Sequence, residues 1–181
     1  VGSYRRPDVV YPAGGKIGST TKVRFIERDS SFEEDAKLPA EVDPSFMIYS
    51  KTQEPAPSGN PFRLVNYDNV LEAEPNDEQA KATVASGQPI ALNGIIAKKG
   101  DVDWFKFTAK KGQALDITVF ARRLRSPLDS ALEIYDAKGA RLEGNDDIGT
   151  GNPDSAVKFN PPADGEYLLR VRDQYKNGGE E

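Results

Sequence analysis

An all-β chain, with a jelly-roll-like antiparallel β-sandwich and a β-rich N-terminal extension, is the fold class that three features of the 181-residue sequence predict. From about residue 71 onward, short runs rich in β-branched and aromatic residues recur at regular intervals. Glycine-closed turns separate them: Lys98-Lys99-Gly100, Lys110-Lys111-Gly112, Ala137-Lys138-Gly139 and Ala163-Asp164-Gly165. No long stretch repeats its apolar residues with the helical period.

The texture divides the chain into a β-rich extension or partial immunoglobulin-like module over residues 1–70 and a sandwich over 71–181. In the first part Pro12-Ala13-Gly14-Gly15 and Gly18-Ser19 signal turns. Residues 21–26, Thr-Lys-Val-Arg-Phe-Ile, alternate polar and apolar like a half-buried strand. The acidic stretch 27–41 reads as a loop. Residues 46–49 and 62–65 read as short strands, joined by a proline-rich surface connection over 53–61. Three short strands are thin material for an independent core.

In the second part, residues 76–82 predict one or two helical turns capped by Asn76 or Asp77. Strands follow over 90–96, 102–108, 114–120, 131–136, 156–159 and 167–171. In an unbulged strand Phe105 and Phe107 share one face, and Trp104 and Lys106 the other. Tyr167 alternates with Leu169 and Val171, which predicts burial. The possibility of an exposed aromatic strip (Trp104, Phe120, Tyr135, Tyr167, Tyr175) is set against burial in the core, the commoner fate of aromatic residues in a sandwich.

Oxygen ligands are concentrated in Glu72-Ala73-Glu74-Pro75-Asn76-Asp77 and Asp101-Val102-Asp103. Residues i and i+2 of an extended chain point the same way, so Glu72 converges with Glu74 and Asp101 with Asp103. Like charges so placed repel unless a cation lies between them. Dense carboxylate and amide oxygens suit a hard cation such as Ca²⁺, which takes six to eight oxygens, better than Mg²⁺, which retains water. A second acidic group, Asn145-Asp146-Asp147, which Asp129 and Asp154 could join, reads as a solvated turn, with a second cation site as the minority alternative.

Composition narrows the function. The chain has no histidine and no cysteine, which removes the commonest general base, thiol chemistry and nitrogen- or sulfur-ligated metals. Its serines and threonines therefore lack a histidine to activate them. Asp146 and Asp147 are adjacent, so on a strand they point apart and make a poor glycosidase pair. The expectation is a chain that is not an enzyme. With 24 basic and 29 acidic residues the formal charge is −5, which argues against a nucleic-acid partner. The basic run Arg122-Arg123-Leu124-Arg125 reads as a solvated strand end. No apolar run approaches the ~18–20 residues that cross a bilayer, so membrane insertion is not expected. The first residues lack the pattern of a signal peptide, and both ends read as cuts through a longer protein.

Several motifs occur in a characteristic order. They are Glu72-x-Glu74-Pro75-Asn76-Asp77, Gly100-Asp101-Val102-Asp103-Trp104-Phe105-Lys106-Phe107, Lys111-Gly112-Gln113, and Asp129-x-x-Leu132-x-Ile134-Tyr135-Asp136. Asn145-Asp146-Asp147 and Ala163-Asp164-Gly165-Glu166-Tyr167-Leu168-Leu169-Arg170-Val171 follow. Over about residues 72–173 the chain resembles the bacterial pre-peptidase C-terminal domain, the β-sandwich family that includes the collagen-binding domains of clostridial collagenases. More loosely, Pro12-Ala13-Gly14-Gly15-Lys16-Ile17-Gly18 resembles a glycine-rich lead-in found before such domains. The resemblance implies that the two acidic clusters meet, with Glu72, Glu74, Asn76, Asp77, Asp101 and Asp103 holding Ca²⁺. It also implies a non-catalytic accessory module of a secreted or cell-envelope bacterial protein. Such a module serves its parent domains and binds an extracellular polymer or protein surface. A purely structural spacer is the alternative, and a hydrolase a more distant one. No residue carries collagen binding over. The family commonly adds a strand after the region of Tyr175, whereas this sequence stops at Glu181.

Overall fold

The computed structural model describes residues 7–27, 30–51 and 57–178. Residues 1–6, 28–29, 52–56 and 179–181, the third range part of the proline-rich connection, lie outside that description. The described strands, in chain order, are β1 (Val9–Tyr11), β2 (Gly14–Lys16), β3 (Thr20–Glu27), β4 (Ser30–Lys37), β5 (Met47–Ile48), β6 (Asn60–Pro61), β7 (Arg63–Val65) and β8 (Asp68–Leu71). They continue with β9 (Thr83–Val84), β10 (Ile90–Asn93), β11 (Val102–Ala109), β12 (Leu115–Thr118), β13 (Ser130–Asp136), β14 (Arg141–Asn145), β15 (Ala156–Phe159) and β16 (Gly165–Asp173). Among the described residues the helical elements are two 3-10 turns, Gln79–Lys81 and Arg122–Leu124. The all-β expectation holds. Every long pairing is antiparallel, and three short ones are parallel: β2 with β7, β8 with β10, and β9 with β11.

The chain forms two compact units, one of Val1–Leu71 with Pro89–Asn93, the other of Glu72–Gln88 with Gly94–Glu181. The first unit contains a three-stranded sheet in the order β1-β3-β4. The acidic stretch expected to be a loop supplies β4, paired with β3 along its whole length. Its carboxylates mask a period-two pattern: Phe32, Glu34 and Ala36 are shielded while Glu33 and Asp35 are exposed. Phe32 stacks on Phe25 with ring centroids 5.3 Å apart, and Lys22 on β3 lies 3.8 Å from Glu33 and 4.0 Å from Asp35. Pairing with β3 compensates for the poor intrinsic strand preference of acidic residues. The unit has its own core, built around Val23, Phe25, Leu38, Phe62 and Leu64. More strands contribute to it than the three the sequence suggested.

The second unit is a sandwich. Its larger sheet has the order β14-β13-β16-β11-β9, and its smaller one pairs β12 with β15. Alternate residues of the central strands fill the space between the sheets: Phe105 and Phe107 from β11, Leu132 and Ile134 from β13, Tyr167 and Leu169 from β16. Val157 and Phe159 answer from β15. The Phe159 and Tyr167 rings meet edge to face at 5.2 Å, and the hydroxyls of Ser130 and Ser155 lie 2.8 Å apart. Trp104 points the other way, as its phase requires, yet is also buried, against Tyr135 at 5.1 Å with the Arg170 guanidinium 5.7 Å from its ring centre. The core reading therefore holds for Trp104 and Tyr167, while Tyr175 is exposed.

Tyr167 buries its ring and donates from its hydroxyl to the Ala163 carbonyl at 2.6 Å, closing the turn into β16. Tyr167→Phe keeps the ring and loses this bond, so it should lower stability by about 1 kcal/mol. Urea unfolding with an unchanged midpoint would show that the turn closes without it.

The basic run at 122–125 is a 3-10 turn rather than a strand end. Asp154, fully buried, explains it. Its carboxylate accepts from the Ala121 and Arg122 N–H groups at 3.0 and 2.8 Å, and from Arg123 Nε at 2.6 Å. The Arg123 guanidinium also lies 3.8 Å from the Phe120 ring centre. Arg123 thus pairs with an internal anion while its side chain stays partly exposed to solvent.

Candidate metal centre

The acidic segment at 72–77 and the start of β11 come together in the second unit. Backbone bonding fixes the meeting: Trp104 N–H donates to the Asn76 carbonyl at 3.2 Å. Thr83 Oγ1 accepts from Ala73 N–H at 2.9 Å and from Asn76 Nδ2 at 3.5 Å, holding the segment from the other side. Asn76 is consequently buried and does not cap a helix. The following 3-10 turn starts after Glu78 without a side-chain cap. Glu74 Oε2 accepts from the Asn76 N–H at 2.7 Å.

Glu72, Glu74 and Asp103 each bring a carboxylate oxygen within 4.8 Å of the others. Glu72 Oε1 accepts from Ile95 N–H at 2.8 Å. Its Oε2 is buried with no hydrogen-bond partner, as are Asn76 Oδ1, Asp101 Oδ1 and Asp103 Oδ1. Buried acceptors are ordinarily satisfied, and four unsatisfied ones drawn from the acidic segment and the start of β11 mark a place where a donor or cation belongs. Every such atom is an oxygen, as a hard cation requires.

The electrostatics agree. Burial pushes the Asp103 carboxyl up to about 9, and the Glu72 charge adds to the rise. Burial likewise pushes Glu72 up to about 7, with Glu74 raising it further and the Ile95 N–H opposing. Asp101 is raised, chiefly by burial and by its contact with Asp77. Asp77 is lowered by hydrogen bonding to Asp101 and to Lys98. These groups cannot all be anionic at neutral pH without positive charge among them.

All six residues singled out in the sequence therefore lie in this region. Glu72, Glu74 and Asp103 form one pocket with Asn76 beside it. Asp77 and Asp101 form a neighbouring pair in contact with Lys98, whose Nζ is 3.2 Å from Asp77 and 3.9 Å from Asp101. Sequence reasoning missed Lys98, Thr83, the Ile95 N–H and Gly94. A Cβ on Gly94 would lie 2.2 Å from Asp103 Oδ2 and 2.8 Å from Glu72 Oε2. Asn93-Gly94 was the available signal, since an isolated glycine at a strand end often marks close approach. Gly94→Ala should cost about 1–3 kcal/mol through this overlap. Denaturant titration checks it, and wild-type stability would show that the carboxylates yield freely.

The second acidic group does not converge in the same way. Asp154 is taken by Arg123 and backbone N–H groups, and Asp146 accepts from Gln174 Nε2 at 2.9 Å. Asp129 is raised by burial and by the charges of Asp147 and Asp173.

Two comparisons with known proteins bear on the chain. Residues 101–173 match the family described as "Bacterial pre-peptidase C-terminal domain". The chain is 42% identical over 109 residues to a "probable subtilase-type serine protease" of Deinococcus radiodurans, a match covering 59% of this chain and 15% of that protein.

Proposed function

We propose that this chain, in which residues 101–173 form a bacterial pre-peptidase C-terminal domain, is a calcium-stabilised, non-catalytic accessory module of an exported, protease-associated bacterial protein. The observation that carries the metal part is the pocket of Glu72, Glu74 and Asp103 with buried, unpartnered oxygens. Glu72, Glu74, Asn76 and Asp103 hold the ion, with Asp77 and Asp101 adding negative charge next to it. Bound calcium ties the 72–77 segment to β11 and removes the like-charge repulsion. The protease relative supports the parentage. The matched region spans about a seventh of that relative, and the subtilase activity belongs to that protein.

Calorimetric titration of the chelator-stripped chain with CaCl₂ tests the metal role: saturable heat is expected, and its absence overturns the reading. Partner binding, to an extracellular polymer or protein surface, is tested by retention on insoluble protein and polysaccharide matrices. One observation favours the alternative of a spacer: Trp104, Phe107 and Tyr167 are buried and unavailable for stacking on a polymer. A spacer is retained by no matrix, with or without calcium.

A further inference from the structure

The last strand of a sheet carries backbone groups that the sheet itself leaves unused. Among the described residues β4 is the longest strand that ends a sheet, with eight residues against five for β14 and three for β1. Its register with β3 runs through all eight pairs without a shift, and it contains no proline. Bulges and prolines, two common means of closing such an edge, are thus missing from it. We propose that β4 is a docking edge for an extended segment of a partner protein that carries lysine or arginine at alternate positions. The inference concerns the first unit and stands whether or not the second binds calcium.

The register decides which groups are open. The Leu38 N–H donates to the Ser19 carbonyl at 2.9 Å, one residue outside the paired strands. Antiparallel partners exchange bonds at every second residue, so Ala36, Glu34, Phe32 and Ser30 give their backbone groups to β3. Ser31, Glu33, Asp35 and Lys37 turn their N–H and carbonyl groups outward. Among the described residues none of these groups meets a partner. The same four residues expose their side chains. The other face of the strand is fixed in place. Phe32 packs on Phe25 with ring centroids 5.3 Å apart, and the Glu34 carboxylate accepts from the Lys51 N–H at 2.8 Å. An edge already held in extended form loses little freedom when another strand joins it.

Charge selects the guest. The exposed face is striped: Lys22 and Arg24 on β3 stand opposite Asp35 and Glu33 on β4, and Lys22 Nζ lies 4.0 and 3.8 Å from the two acids. A strand laid on the open side of β4 places its side chains about 4.5–5.5 Å from those opposite them, while the β3 bases lie one strand further away. The nearest charges it meets are therefore negative, except at Lys37, where β4 ends. Basic residues two apart in the guest pair with Glu33 and Asp35, and acidic ones meet like charge. Strand addition of this kind draws its affinity from the backbone ladder and its specificity from alternate side chains.

The test is residue-level amide hydrogen exchange of the whole chain with three peptides: Thr-Lys-Val-Lys-Val-Lys-Thr, its glutamate counterpart, and the lysine peptide N-methylated at every residue. The lysine peptide should slow exchange at Ser31, Glu33, Asp35 and Lys37, and should bind roughly tenfold more tightly than the glutamate peptide. The N-methylated peptide keeps the charge but cannot complete the ladder, so it should protect none of the four. Glu33→Lys combined with Asp35→Lys should reverse the preference between the charged peptides, and the wild-type comparison decides the matter even where that double variant does not fold. Protection confined to other residues, equal binding of the two charged peptides, undiminished binding of the N-methylated one, or no binding at all overturns the inference. Protection of the four amides in the chain alone that grows with its concentration also overturns it, by assigning the edge to a second copy.

Discussion

In excess chelator the protein should unfold roughly 5–11 °C below its midpoint in calcium at a hundred times the dissociation constant. That concentration adds about 2.7 kcal/mol to the native state, and each kcal/mol moves the midpoint of a chain this long by about 2–4 °C. The pH dependence gives the prediction its sign. Without metal, Glu72 and Asp103 are held up to about 7 and about 9 in the folded protein. The native state then keeps protons that the unfolded chain releases at ordinary carboxylate values. The associated stability is fully present only below the ordinary carboxylate values of 3.8 and 4.5, and it is lost as pH rises through 7 toward 9. In chelator the midpoint should therefore fall between pH 5 and pH 9. In calcium the carboxylates are neutralised as anions, so that decline should largely vanish. Asp103→Asn removes the need to take up a proton at this position on folding. It should melt above wild type in chelator and gain little from calcium. Scanning calorimetry at pH 5, 7 and 9 decides the matter, and a chelated midpoint that rises with pH contradicts it.

Asp154→Ala should be the most damaging single substitution outside the acidic region, at about 3–5 kcal/mol. It removes the acceptor for two backbone N–H groups and strands Arg123 over the Phe120 ring. Arg123→Met should cost less, because the Ala121 and Arg122 N–H groups still satisfy the carboxylate. Denaturant unfolding of both variants in saturating calcium checks the order. Equal losses would mean that the ion pair, rather than the backbone bonds, sustains the turn.

The second unit was the more legible in sequence because its strands obey simple alternation. Tyr167, Leu169 and Val171 announce a buried face, and Gly100, Gly112, Gly139 and Gly165 mark the breaks. The same spacing-by-two allowed Glu72 to be grouped with Glu74 and Asp101 with Asp103. Strand β4 was hidden because its inward residues are Phe32, Glu34 and Ala36, so only knowledge of its partner β3 reveals the period. Likewise β14 presents exposed Arg141, Leu142 and Glu143, and is defined by pairing with β13 rather than by burial. The roles of Asp154 and Lys98 depend on groups brought together by folding: Asp154 is 31 positions from Arg123, and Lys98 is 21 positions from Asp77. No local pattern could report either. Asn76 offered a good capping residue, but Thr83 and Trp104 hold it in the interior instead.

The outermost strand of the first unit's three-stranded sheet carries Glu33 and Asp35 outward. Among the described residues this strand pairs with β3 alone, and an unpaired strand margin is a template on which another molecule can continue the sheet. Here a second copy would have to lay identical negative side chains alongside these, without the lysine that answers them from β3. This border is therefore expected to discourage runaway self-association when such molecules are crowded together.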